Sequence, residues 1–247
     1  MDEQREIFQP EGILVKHSAA VQISGKISLV QRRVWNVLLQ HAYGDLKAKE
    51  THTIPLPDLF EESGLNSRNY DYLKECLDTL VGTRVRWNIF QGDQEQEWGV
   101  AALLAGARIR SGTVTYSFEP LLRRRLHNPR VFARVSLSTQ NEFAHKYALP
   151  LYELLTDYTW TDGRRTGQAE TPWLSIDDTR EFLGTEDRYP EFYNFRRYVL
   201  DRAVEEIEDK TRIACWYEAD RDGGRSYSRI KFYGTFPPSP HEQQQIT

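Results

Sequence analysis

A chain of 247 residues, 39% hydrophobic and 28% charged, is longer than a common single domain and has the composition of a globular protein. That excludes a fibrous or wholly disordered chain and favours two domains of roughly 100 residues each. The net charge of −4 counts against a uniformly basic nucleic-acid binder, because phosphate affinity comes mainly from Lys and Arg.

Other classes fall away on residue spacing. No apolar run approaches the roughly 20 residues that cross a bilayer. The start, Met1-Asp2-Glu3-Gln4-Arg5-Glu6, leads into no apolar signal core, so no membrane partner and a cytoplasmic location are expected. Cys76 and Cys215 stand far apart, without a disulfide framework or metal-ligand spacing, and read as buried small hydrophobes. His17, His41, His52, His127, His145 and His241 are isolated, so no metal, no cofactor and no metal-dependent nickase are expected. Gly25-Lys26 lacks the upstream glycine of a phosphate loop. The chain is therefore expected not to be an enzyme.

In chain order, Ser28 with Gln31 forms a capping box, and Val30, Val34, Trp35, Leu38, Leu39 and Ala42 follow at helical spacing to Gly44. A short extended piece, Thr53-Ile54-Pro55, leads to a brief helix from Pro57 to Ser63, stopped by Gly64. A second helix, capped by Asn66 or Ser67, buries Leu73, Cys76, Leu77 and Leu80 before Gly82. Val85, Trp87 and Ile89 then alternate with Arg84, Arg86 and Asn88. A polar turn over 91–96 and a returning strand over 98–104 complete a hairpin. Helix, short strand, helix, turn, helix, hairpin is the element order of a winged helix-turn-helix.

Residues 113–118 read as a strand, 119–126 as a basic helix and 131–137 as another strand. Thr139 with Glu142 offers a second capping pair, and Phe143, Tyr147, Leu151, Leu154, Leu155 and Tyr158 carry a helical stripe that Pro150 must kink or restart. After an exposed loop over 162–168 and an extended piece over 171–174, Ser175 with Asp178 caps a helix ended by Gly184. The next helix is expected to begin near Pro190 and to bury Phe192, Phe195, Val199, Ala203 and Ile207. Ile213, Cys215 and Tyr217 alternate, Asp222-Gly223-Gly224 turns, and Ile230 and Phe232 return. The aromatics Trp35, Trp87, Trp160, Trp173 and Trp216 read mostly as core.

The second half thus repeats the first. Tyr72-Leu73-Lys74, Leu77-Asp78 and Thr83-Arg84-Val85 echo Phe195-Arg196-Arg197, Leu200-Asp201 and Thr211-Arg212-Ile213, an internal duplication. The expected fold is α+β, two tandem winged-helix domains. The first covers residues 1–137 (dimerisation and auxiliary DNA contact), the second 138–236 (main DNA binding), and 237–247 form a disordered tail.

In a helix-turn-helix the N-terminal end of the second helix meets base edges in the major groove. Here that end carries Tyr193, Asn194, Arg196 and Arg197, with Arg202 further along. Arg offers a planar fork to guanine or phosphate, and Asn can bond adenine bidentately. Arg221, Arg225 and Arg229 surround Gly223-Gly224 as a wing suited to the DNA backbone. The corresponding residues of the first half are Ser67, Arg68, Asn69 and Lys74, with Arg84 and Arg86 on the hairpin. Asp71, Glu75 and Asp78 dilute their charge, so base reading and dimerisation both stay open for this half.

Three blocks carry a specific likeness: Lys146-Tyr147-Ala148 with Leu151-Tyr152-Glu153-Leu154-Leu155; Arg180-Glu181-Phe182-Leu183-Gly184; and Tyr189, Phe192, Phe195-Arg196-Arg197-Tyr198-Val199-Leu200-Asp201-Arg202-Ala203-Val204-Glu205-Glu206-Ile207. The opening Val15-Lys16-His17-Ser18 and the run from Leu29 through Gln31-Arg32-Arg33 to Trp35-Asn36-Val37-Leu38-Leu39 match more loosely. The chain resembles the initiator replication proteins of iteron-bearing plasmids. The resemblance implies binding to repeats (iterons) in double-stranded origin DNA, origin opening, recruitment of a host helicase or initiator, a monomer-dimer equilibrium with autorepression by dimers, and no catalytic residues. A transcriptional repressor with the same DNA surface is the alternative, and a replication nickase is disfavoured.

Overall fold

The computed structural model describes residues 13–17, 27–66, 69–87, 99–126, 132–161 and 164–237. The expected tail beyond 237, the tip of the first hairpin, and Ser67 and Arg68 lie outside the described residues.

Helix α1 (Leu29–Ala42) starts at the expected box. The Gln31 backbone N–H donates to Ser28 Oγ at 3.2 Å and the Ser28 N–H donates to Gln31 Oε1 at 2.7 Å. Its buried face carries Val34, Trp35, Leu38 and Leu39. Strand β2 (His52–Pro55) leads into α2 (Leu56–Glu62), and α3 (Tyr70–Gly82) buries Leu73, Cys76, Leu77 and Leu80. Strand β3 (Arg84–Trp87) pairs antiparallel with β4 (Gly99–Ala102). The returning strand does not stop at 104: past Leu103 it continues as β5 (Leu104–Arg110), which turns at Ser111 (φ 49°) and Gly112 (φ 76°) into β6 (Thr113–Phe118). Positive φ at both turn residues matches the right-handed twist of the flanking strands. The run Ala105-Gly106-Ala107 has low strand propensity, so only its pairing with β6 makes it a strand.

The polar lead contains a strand that the sequence reading lacked. β1 (Ile13–His17) pairs antiparallel with β7 (Phe132–Ser136), which follows α4 (Pro120–Leu126). A second correction concerns the cap of α5 (Leu137–Glu142): Ser136, not Thr139, holds it, accepting the Thr139 N–H. The helix restarts as Pro150 demands. α6 (Ala148–Tyr158) places Pro150 in its first turn, where the missing N–H costs no intrahelical bond. Ala148 to Asp157 are all buried, the mark of a helix surrounded by protein. α6 packs against β7 and also against the second half.

Within the expected 162–168 loop, β9 (Arg164–Arg165) pairs antiparallel with β8 (Trp160–Thr161), which lies just before it. Strands β10 (Gln168–Glu170) and β11 (Leu174–Ser175) both precede α7 (Ile176–Phe182) in the sequence and pair with one edge of β13 (Arg229–Thr235); β12 (Ala214–Asp220) pairs with its other edge. In the first half the short strand pairs with β6 instead, so element order is duplicated but strand pairing is not. Thr83 and Thr211 play the same part in both halves, each ending the second helix by donating its N–H to the carbonyl four residues back.

That second helix, α8, begins at Phe192 rather than near Pro190, with Glu191 at its cap. It runs through Phe192–Phe195, a π-helical turn Arg196–Leu200, and Asp201–Lys210. The buried residues Phe195, Val199, Ala203 and Ile207 explain the π turn. At about 100° per residue, steps of four advance about 40° each around a straight α-helix, and one wider turn lets all four keep facing the core. Apolar packing is continuous from Leu14 to Phe236.

Around the buried start of α6, polar groups are buried as well. Lys16 Nζ and Arg32 Nη1 each lie 2.7 Å from Glu153 Oε2, while Asn36 Nδ2 donates to Glu153 Oε1 at 2.7 Å and to Gln140 Oε1 at 2.9 Å. Burial pulls the Lys16 ammonium down to about 8, still protonated at neutral pH. Burial opposes ionisation of Glu153, but the adjoining cations and hydrogen bonds prevail and hold its carboxyl below the ordinary value. Glu206 of α8 adds a second tie, accepting the Ala144 and His145 N–H groups at 2.7 and 2.9 Å.

Candidate nucleic-acid interface

The second half's helix-turn-helix is α7 and α8. Ser175 Oγ accepts the Asp178 N–H at 2.9 Å to start α7, and Gly184 (φ 64°) ends it. The intervening turn is built around Arg180, a residue only 8% exposed. Its Nη1 donates to the carbonyls of Arg188 (3.1 Å) and Tyr189 (2.7 Å), and its Nη2 to that of Pro190 (3.1 Å). The same guanidinium lies 4.4 Å from the Phe195 ring. Tyr189 has φ 54°, a left-handed conformation that costs a non-glycine residue about 1–2 kcal/mol.

Beyond this turn, Tyr193 is 66% exposed, Asn194 is half-buried, and Arg196 and Arg197 are exposed. Arg196 lies 3.7 Å from Asp201, whose carboxylate also accepts the Tyr217 hydroxyl. Burial first, then Asp201, raises the Tyr217 phenol and keeps it a donor. The phenol and Asp201 in turn raise Arg196, so it stays a cation. Among the described residues Arg197 has no carboxylate within ion-pair distance; its guanidinium lies 5.5 Å from the Tyr198 ring. Arg202 pairs with Glu205 at 3.3 Å, and both are well exposed.

The wing joins the helix through aromatic stacking, with Phe192 and Tyr227 at 4.3 Å between centroids and 27° between planes. A groove of about 700 Å³ runs between α7, the start of α8 and the wing, lined by Arg180, Phe192, Tyr193, Arg196 and Tyr227 among others. At the wing tip a Cβ on Gly224 would come within 3.1 Å of the Arg221 carbonyl oxygen, and Gly223 has φ 79°, so both turn glycines have a steric reason. Arg221 lies over the Tyr227 ring at 4.9 Å, and Arg225 is exposed without a carboxylate partner among the described residues. Arg229 is differently placed. Its Nε and Nη2 donate to Asp220 Oδ2, its Nη1 lies 3.0 Å from Asp222, and Trp173 lies beneath it at 4.9 Å.

Trp173 and Trp216, expected in the core, are 39% and 47% exposed. Trp216 stacks on Tyr233 at 5.4 Å, both on the outer face of the sheet. Strand alternation alone could not say which face is covered.

In the first half, Asn69 caps α3 by position but makes no side-chain capping bond, and Lys74 pairs with Asp71 at 2.9 Å. Arg84 is exposed on β3; the Arg86 side chain lies outside the described part. Sequence reasoning gave Arg180 and Tyr189 no role beyond the family likeness and passed over Tyr227. The available signals were a basic residue on a capped apolar helix and a Tyr-Pro before the next helix. Among the described residues no group of His, Cys, Asp or Glu side chains could hold a metal ion.

Two family models match the chain, one described as Initiator Replication protein, WH1, over residues 13–156 and one as Initiator Rep protein, WH2, over 175–233. The chain belongs to the initiator replication protein family. Both winged helices are therefore those of a DNA-binding initiator, and the α7–α8 turn and wing fall inside the second matched span. Among solved structures the chain is similar to a selenomethionine derivative of domains 2 and 3 of RctB, at 10% identity and a TM-score of 0.46, covering 88% of this chain and 86% of that one. A second structure of RctB domains 2-3 gives 11% identity and a TM-score of 0.43, covering 87% and 84%. These values are too low to bear on function. No curated protein matches.

Proposed function

We propose that this initiator replicates a plasmid by binding direct repeats of double-stranded origin DNA, with the start of α8 in the major groove and the 221–228 wing along the backbone. Bound copies help open the origin and recruit a host helicase or initiator, and a dimer formed through the first half represses the protein's own gene. The observation that carries the reading is Arg197. It stands exposed on the first turns of α8, with no carboxylate within ion-pair distance among the described residues, so its fork is available to guanine or phosphate. The division into a dimerising, auxiliary part (1–137) and a main DNA-binding part (138–236) belongs to the same proposal.

The test is selection of duplexes from a randomised pool by the full chain, followed by permanganate footprinting and plasmid maintenance with the selected repeats placed beside the gene. Selective binding with strand opening and maintenance is expected. Selective binding without either would make the chain a repressor, and no selection would remove the DNA-reading role.

A further inference from the structure

The four DNA-facing positions on α8 can read bases only if the helix enters at one angle, and that angle is set in the turn before it. We propose that Arg180 is the positioning residue for base reading: its guanidinium clamps the Arg188, Tyr189 and Pro190 carbonyls and so fixes the direction in which α8 meets DNA. This rests on the DNA-reading role proposed above.

Three consecutive carbonyls converge on one partly buried cation, an arrangement that needs a rigid planar fork with several donors. Beneath the clamp the guanidinium lies on the Phe195 ring, itself fully buried, so the turn and the first turn of α8 are held by the same group. Above it, the Arg180 carbonyl accepts the Thr185 N–H at 2.8 Å and the Thr185 hydroxyl at 3.2 Å. That leaves Arg180 anchored at both ends. The residue it grips most closely, Tyr189, is the strained one, with φ 54°. A left-handed non-glycine residue persists only where its surroundings hold it. The Tyr189 ring then stacks on Tyr198 at 5.8 Å, inside the π turn, so the clamped turn is tied to the segment bearing Arg196 and Arg197. Arg180 itself faces the groove between helix and wing. Its contacts are with backbone carbonyls and Phe195, which makes it a support for readers rather than a reader.

The test uses the full chain and fluorescence anisotropy on two labelled duplexes, one selected by the wild type from a randomised pool and one scrambled, across a salt series. Arg180→Lys keeps the charge and loses the fork. It is expected to lower the ratio of selected to scrambled affinity at least tenfold while leaving scrambled-duplex affinity and its salt slope within about twofold. Phe195→Leu keeps an apolar core residue and removes the ring beneath the guanidinium. It is expected to lower the same ratio by a smaller factor, and it serves as the readout if Arg180→Lys folds poorly. Unchanged discrimination in both variants, or an equal loss of affinity for both duplexes, overturns the positioning role. A wild type that selects no sequence overturns the DNA-reading role first, and a wild type that selects normally leaves that role intact whatever Arg180→Lys does.

Discussion

Lys16 and Glu153 form an ion pair at 2.7 Å with both side chains fully buried, joining the first strand of the chain to α6, the helix between its halves. Two charges at this depth are tolerable because each is further bonded: Arg32 and Asn36 complete the carboxylate, and Lys16 also donates to Asn36 Oδ1 at 3.2 Å. Removing one partner strands the others.

Glu153→Gln is expected to cost about 3–5 kcal/mol, because it leaves buried cations without their counter-charge. Urea unfolding at pH 7 measures it; a loss under about 1 kcal/mol, as for an exposed pair, would mean that water reaches the cluster.

The same carboxylate sets an acid limit. Its folded pKa lies below the ordinary value of 4.5, so the folded state binds the proton less readily than the unfolded chain. The stability Glu153 contributes is complete above that ordinary value and drains away as pH falls through the lower folded value. Stability should therefore be flat in this contribution from pH 7 to about 5.5 and fall below 4.5, and Glu153→Gln should flatten part of that fall. Identical acid profiles for the two proteins would contradict the assignment.

Arg197 and Arg229 are expected to differ although both are arginines near the interface. Arg197→Ala should weaken binding to a selected duplex by about 1–3 kcal/mol and relax sequence preference, or flatten the salt dependence if it holds phosphate. Arg229 is engaged by Asp220 and Asp222, so Arg229→Ala should loosen the wing and change the salt slope less. Titrations of both variants and the wild type at three salt concentrations decide it, and a slope flattened from the wild-type value in Arg229→Ala would show that Arg229 leaves its carboxylates to meet DNA.

Glu206→Ala should release the 144–145 turn from α8. Charge-assisted bonds to a half-exposed carboxylate are worth about 1 kcal/mol here, so the chain should stay folded while the Ala144 and His145 amides exchange faster with solvent. Unchanged exchange at those two amides would mean that other contacts hold the turn.

Cys215 is buried at the foot of α8, and burial pushes its thiol up to about 12; Cys76 rises to about 11 by the same cause. Thiolate is the reactive form, so alkylation at pH 8 should be slow in the folded chain and rise steeply with urea through the unfolding transition. Rapid labelling without denaturant would show that α3 or α8 opens locally.

How much of this was legible beforehand depends on the range of the interaction involved. Caps, apolar stripes and turn glycines act over a few residues, and the box at Ser28, the stripe Leu73 to Leu80, the cap at Ser175 and the Gly223-Gly224 tip could all be read directly from the sequence. So could the tandem order of elements and the exposed Arg196 and Arg197. The start of α8 was misplaced because Pro190 suits a first helical turn locally, whereas its carbonyl is taken by Arg180, ten residues earlier. β1 and β5 were missed because their strands exist only through partners: β7, more than a hundred residues on, and β6. Trp173 and Trp216 show the same limit, since alternation marks two faces of a sheet but not which one is covered. By itself the sequence determined that there are two winged helices and which of their residues carry charge. Only the tertiary structure decided that Arg229 is bound by Asp220 and Asp222 while Arg197 meets no carboxylate among the described residues. It also decided that Lys16 is an interior residue and that Arg180 holds the turn. Each of these depends on which groups folding brings within about 3 Å, where a hydrogen bond becomes possible, whether they come from the other side of a turn or hairpin, as for Arg180 and Arg229, or from far along the chain, as for Lys16.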